Sequence, residues 1–202
     1  MTYGLNMEPI ILASSSPRRQ EILKSLRIPF RVITSNIDET LVSAIPLEEI
    51  PEFLATEKVS AVIKSLPPKQ EIPWVLGADT AIIFEDKIYG KPQTQEEAFN
   101  NIKLFQGNTH TVITSIVLYN GKTKQLTSKV SKTKVTFAAM NDDEINWYID
   151  SGEWHGAAGG YRIQGAASIF IKNIEGSYSG VIGLPIYELY DILKEQGYNV
   201  LE

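Results

Sequence analysis

"ILASSSPRRQEIL", Ile11 to Leu23, decides the fold class. The run that contains its start, "PIILAS" (9–14), is short, apolar and β-branched, and it ends in serines, as a buried strand does. "PRRQEILKSL" (17–26) continues as a helix. Ile22, Leu23 and Leu26 supply its apolar stripe, Ser16 is placed as the N-cap, and Pro17 fills the first helical position, where a missing N–H costs nothing. "FRVITSN" (30–36) alternates and predicts a second strand. Strand, loop, helix and strand form a βαβ-like unit.

The same stretch holds an electrostatic conflict. Arg18 and Arg19 stand at the positive end of a helix dipole, which repels cations. Helix N–H groups and serine hydroxyls together make an anion site, and arginine forks match phosphate oxygens. Either a phosphate relieves the conflict, or both arginines lie in solvent while Ser16 and Pro17 cap. The local sequence leaves both readings open.

Farther along, "IPEFLATEKVSAVIKSL" (50–66) predicts a helix, and "LPPKQEIP" (66–73) breaks it. "WVLGADTAIIF" (74–84) is an apolar run interrupted by Gly-Ala-Asp-Thr, followed by a hairpin turn in "FEDKIY" and a break at "GKP" (90–92). "TQEEAFNNIKLFQG" (94–107) is a helix with Thr94 as cap, Glu97 as its box partner and Gly107 as its stop. Residues 109–140 predict a β-meander turning at "YNGK". "NDDEINWYIDSG" (141–152) is a helix capped by Asn141 and Glu144, residues 159–185 are glycine-rich around a strand, and "IYELYDILKEQG" (186–197) is an amphipathic helix. This order predicts an α/β fold whose sheet is partly antiparallel.

The 202 residues suit one domain, or one domain with two lobes. The absence of cysteine excludes a disulfide framework, a zinc–thiolate site and a cysteine nucleophile. A net charge of -5, from 19 basic and 24 acidic residues, argues against nucleic acid as a partner. The apolar runs are too short to span a membrane, and "MTYGLNMEPI" lacks the basic start and apolar core of a signal peptide, so a cytoplasmic location is expected. His110 and His155 show no metal-ligand or triad spacing.

Several polar residues invite a chemical role, each against a plainer one. In "LGADT" (76–80), Gly77 and Ala78 permit a close approach, and Asp79 is expected at a strand end, where open sheets bind ligands; alone it reads more plainly as a turn aspartate. "NIDET" (36–40) offers Asp38 and Glu39, paired carboxylates suited to Mg²⁺ or Mn²⁺, or else a polar turn. Lys58 and Lys91 are individually ordinary solvated lysines. Gln164, expected at a strand end in "YRIQG" (161–165), can pair with a base through donor and acceptor together, or simply face solvent.

Taken in order, "LASSSPRR", "IDE", "EK", "LGADT", "GKP", "YRIQG" and "GSYSGVIGLP" resemble the Maf nucleotide pyrophosphatases from about Ile10 to Leu193. The resemblance implies a single Maf-like domain over 7–202, with 1–6 as an N-terminal extension. It implies an inosine-triphosphate-pyrophosphatase-like fold, an elongated mixed β-sheet flanked by helices, in two lobes with a central cleft. It implies hydrolysis of a nucleoside triphosphate to the monophosphate and pyrophosphate with a divalent metal cation, and a homodimer. "IQG" resembles the branch acting on dTTP and UTP, whereas the 7-methyl-GTP branch typically carries "SEG" there.

Carried over residue by residue, Asp79 matches the general base, and Arg18, Thr80 and Gln164 match positions tied to substrate choice. Ser14, Arg19, Lys58 and Lys91 match further substrate-binding positions, and Glu39 with Asp79 matches the metal site. Two stretches depart from the family: Ala157 stands where a lysine is frequent, and "FQGNTH" replaces a Ser-Gly-Lys turn. Two alternatives stay open, a non-catalytic nucleotide-binding regulator of cell division and a pyrophosphatase for another, non-standard nucleotide.

Overall fold

The computed structural model describes residues 7–35, 37, 45–67 and 72–200. The opening unit forms as its sequence predicts: β1 (Ile10–Leu12), α1 (Pro17–Ser25) and β2 (Phe30–Val32). β1 is buried at all three residues and lies between two parallel neighbours, β2 and β3 (Trp74–Phe84). Burial on both faces is why a parallel strand is a continuous apolar run. β2 stops at Val32, short of the alternation that suggested a strand to residue 36.

α1 corrects one expectation. Ser16 occupies the N-cap position, but its side chain makes no capping hydrogen bond. Ser14 organises the loop instead, its Oγ accepting from the Ser16 N–H at 3.3 Å.

α2 (Ile50–Ser65) packs on β3, which runs unbroken through Gly-Ala-Asp-Thr. Asp79 is therefore the sixth residue of an eleven-residue strand and not its end. The close approach expected at Gly77 is the seat of α2. A Cβ on Gly77 would lie 2.6 Å from the Ala55 carbonyl oxygen and 2.6 Å from Val59 Cγ2.

β3 turns into β4 (Lys87–Tyr89) through Glu85 and Asp86, both at positive φ (48° and 55°), the two-residue geometry that matches strand twist. α3 (Gln95–Phe105) is capped by Thr94 Oγ1, which accepts from the Glu97 N–H; the Glu97 carboxylate accepts from the Gln93 N–H, one residue before the cap. The meander is two long strands, β5 (Thr109–Asn120) and β6 (Gln125–Phe137). Their four-residue connection can join only antiparallel strands. Gly121 there serves close approach, since a Cβ would stand 1.4 Å from the Ile72 carbonyl oxygen and its N–H donates to Pro73 O at 2.9 Å.

α4 (Asp142–Asp150) carries the complete Asn141–Glu144 capping box. β7 (Ile171–Glu175) pairs antiparallel with β6, and α5 (Tyr178–Ile182) and α6 (Ile186–Glu195) follow. The strand order is β2-β1-β3-β5-β6-β7, with β4 on β3. No helix among the described residues is long and apolar enough to cross a membrane.

The chain divides into two compact units, the first being residues 1–79, 114–130 and 183–202, and the second 80–113 and 131–182. The first has a core of Ile11, Ala13, Ala55, Val59, Val62, Val75 and Val117. The second is built around Phe105, Phe137, Tyr148 and Tyr161, packed with Ile82, Ile102, Ile145 and Ile149. His110 lies among these rings, 4.5 Å from the Phe105 centroid, with Nε2 hydrogen-bonded to the Tyr161 hydroxyl at 2.7 Å. Burial pushes its pKa down to about 3.

Two outcomes follow from this packing. Gly77→Ala forces α2 off β3 and lowers stability by about 1–3 kcal/mol, measured by denaturant unfolding. For His110, the unfolded chain binds a proton near pH 6.5 that the folded chain refuses down to about pH 3, so stability falls as pH falls through that window. The His110 share of that slope is at most about 1.4 kcal/mol per pH unit, and it disappears when the pH dependence of unfolding is measured in His110→Gln.

Candidate active site

The close seat of α2 on β3 has a direct consequence for the polar residues. Strand side chains alternate, so Asp79 shares with Gly77 the face that meets α2. Lys58, one residue before Val59 on α2, reaches Asp79 with Nζ 2.5 Å from Oδ1. The two side chains are only 12% and 14% exposed. Lys58 is thus no solvated lysine, and Asp79 no turn residue. A buried ion pair is a weak source of stability, because desolvation offsets its attraction. Its chemistry is a better account: a carboxylate that can orient or accept a proton from water, beside an ammonium that attracts a polyanion. Thr80, next along the strand, turns to the opposite face.

The parallel register of β1 on β3 (Ile11 with Val75, Leu12 with Leu76) carries the Ser14–Ser16 loop alongside the second half of "LGADT". Ala13 N–H extends the pairing to Leu76 O at 2.8 Å. α1 begins from this loop with no acidic residue in its first turn and no side-chain cap.

The two adjacent arginines have different environments. Arg19 is buried; its Nε donates to the Gly183 carbonyl at 2.8 Å and its Nη1 to Ser14 Oγ at 2.8 Å. Arg18 is half-buried. The solvent reading therefore fails for Arg19, whose guanidinium ties α1 and its loop to the segment before α6. Gly183 was not singled out in the sequence. "GSYSGVIGLP" marked the segment, but a carbonyl acceptor leaves no trace in side-chain chemistry.

Within the second unit, Lys91 is exposed, and its flanking Gly90 carbonyl accepts from Gly159 N–H at 2.8 Å. Ala157, in the position where the family frequently has lysine, is 2% exposed. Gln164 is exposed in a turn ahead of a 3-10 segment (Ala166–Phe170), not at a strand end. Glycine at 165 and the following 3-10 turn stop the extended pairing that a strand would need. The described contacts join Lys58 to Asp79 and Ser14 to Arg19. Asp38 and Glu39 lie outside the described residues. Among the described residues no three histidine, aspartate or glutamate side chains cluster as a metal site. Asp79 supplies one carboxylate oxygen of the kind a hard divalent cation accepts.

Comparison with known proteins gives the family. A protein of Pelotomaculum thermopropionicum described as a dTTP/UTP pyrophosphatase is 42% identical over 195 residues, which are 96% of this chain and 100% of that one. Desulforamulus reducens and Treponema denticola have proteins of the same description at 43% and 40% identity, each matching 96% of this chain and 100% of its own length. Among solved structures, the Staphylococcus aureus Ham1 protein matches 65% of this chain and 72% of its own at a TM-score of 0.45 and 17% identity, too slight a likeness to argue from. The family model for Maf-like proteins matches residues 9–196, nearly the whole of the described fold, and the chain belongs to that family.

Proposed function

We propose that this protein is a nucleoside triphosphate pyrophosphatase that hydrolyses dTTP and UTP to the monophosphate and pyrophosphate. The Lys58–Asp79 pair, largely withdrawn from water on the α2–β3 contact, is the observation that carries the reading. Relatives of that description, matched over almost their whole length, support the substrate class.

The α-phosphorus is attacked by water. The bond from the α-phosphorus to the bridging oxygen breaks, and pyrophosphate leaves with that oxygen. Asp79 orients the water and takes its proton. Lys58, Arg18 and Arg19 spread positive charge over the triphosphate, which lies along the Ser14–Ser16 loop and the start of α1, where backbone N–H groups favour anions. Lys91 adds positive charge, and Thr80 and Gln164 select the nucleobase, as the resemblance implies.

The family's chemistry suggests a divalent cation, proposed here as Mg²⁺ or Mn²⁺ on Asp79 and Glu39. When bound, it neutralises charge growing on the leaving group. A general base contributes about 10²–10⁴-fold, so positioning and electrostatics supply most of the acceleration. The enzyme is proposed to act in the cytoplasm as a homodimer.

The test is a panel of triphosphates with Mg²⁺ or Mn²⁺, measuring monophosphate, pyrophosphate and orthophosphate. Pyrophosphate from dTTP and UTP ahead of the other nucleotides is expected. Orthophosphate as the first product overturns the bond assignment, and binding without turnover favours the regulatory alternative. In Asp79→Asn, turnover falls by about 10²-fold or more while nucleotide still binds. Near-normal turnover in that variant removes Asp79 from the role of base.

A further inference from the structure

Gln164 sits in a turn that closes through Gly165 N–H to Arg162 O at 3.1 Å. The turn is also held from outside, by the chain that ends α4 and follows it. Glu153 Oε2 accepts from the Ala166 N–H at 2.8 Å, and the Tyr148 hydroxyl accepts from the Arg162 N–H at 3.2 Å. Arg162 Nη2 donates to the His155 carbonyl at 2.9 Å. Backbone groups on both sides of Gln164 are therefore fastened to residues 148–155.

The Glu153 contact is the tightest of these. A Cβ on Gly165 would lie 2.1 Å from Glu153 Oε2, so the carboxylate occupies space that any other residue at 165 would fill. Glu153 is itself well supported. Its N–H donates to Ser151 Oγ at 3.2 Å, and Trp154 beside it is buried in the core of the second unit. A carboxylate on the leading N–H of a 3-10 turn also makes a charge-assisted bond, stronger than a neutral one. A side chain that selects a base through a donor and an acceptor needs its backbone held to within a fraction of an ångström.

We propose that Glu153 is a positioning residue for nucleobase selection: by binding the Ala166 N–H against Gly165, its carboxylate sets the direction in which Gln164 presents its amide. The proposal rests on Gln164 as a base-selecting residue. Glu153 touches neither substrate nor reacting atoms and acts through the turn.

The test uses the full chain and compares kcat and KM for UTP and CTP. These two nucleotides differ in the hydrogen-bonding edge and hardly in size. Glu153→Ala lowers the UTP-over-CTP preference in kcat/KM by about tenfold, the scale of one hydrogen bond to a charged group, with the change mainly in KM for UTP. Glu153→Gln, which keeps an oxygen acceptor, retains most of the preference. Gly165→Ala displaces the carboxylate and lowers the preference as Glu153→Ala does. If Glu153→Ala does not fold, these two variants decide the matter.

An unchanged preference in a folded Glu153→Ala overturns the proposal. So does an equal fall of kcat for both nucleotides with the ratio preserved, which is a merely structural effect, and so does a loss in Glu153→Gln as large as in Glu153→Ala. Gln164→Ala separates the two levels. If it leaves the preference intact, base selection by Gln164 falls, and the proposal with it. If it abolishes the preference while Glu153→Ala and Gly165→Ala do not, the positioning role alone falls.

Discussion

The contact between α2 and β3 at Gly77 governs the chemistry of the first unit. With hydrogen in place of a side chain at 77, the helix comes down until Ala55 O and Val59 Cγ2 fill the space a Cβ would take. That depth brings Lys58 to Asp79 and leaves both largely withdrawn from water. A wider separation would leave a solvated lysine above an aspartate with an ordinary surface setting. At low effective dielectric the two charges act on each other more strongly than they would in water. The pair is therefore a product of backbone packing, and neither residue's identity would produce it alone.

A second constraint works on α1. A helix start with two arginines and no acidic residue is unfavourable for the dipole, yet Arg19 is kept. Its guanidinium donates to two oxygens, the Gly183 carbonyl and Ser14 Oγ, which fix its charge beside the loop. Ser14 in turn holds the Ser16 N–H, and the loop is shaped by hydroxyl and guanidinium without a conventional cap. The conflict in "SSSPRR" is thus met at Arg19 within the protein, by two oxygen acceptors.

The regular elements were legible because each carried a local signal strong enough to survive its surroundings. Asn141 and Glu144 capped α4 as written, and the apolar run of β1 marked a strand buried on both faces. What misled was glycine and serine chemistry set by distant partners. Gly77 permits the close approach its size suggests, but the strand continues through it, so Asp79 lies mid-strand and not at an end. Gly121 stands in the hairpin turn its sequence predicts, but it also makes room for the Ile72 carbonyl, which no local signal shows. Ser16 looked like a cap while Ser14, two residues earlier, does the bonding. Gln164 reads as a strand end, but it lies in a turn fastened through Ala166 by Glu153 of another segment, which no local pattern shows. Lys58 and Asp79 lie twenty-one positions apart, and no pattern within one helix or one strand announces their meeting.

Gly77 and Gly165 share a logic that accounts for the form of the two motifs. In each, a glycine stands within two residues of a polar side chain assigned a chemical role, Asp79 in one and Gln164 in the other. In each, the missing Cβ admits a group from a separate element: Ala55 and Val59 of α2 at Gly77, and the Glu153 carboxylate at Gly165. The glycine lets a group from another element reach the main chain directly. At Gln164 the side chain takes no part in the contact that holds its turn, whereas at Asp79 the helix seated on Gly77 also brings Lys58 to the carboxylate. "LGADT" and "YRIQG" are on this view each a chemical group joined to its own anchoring point, and the anchoring point is as necessary to the motif as the group.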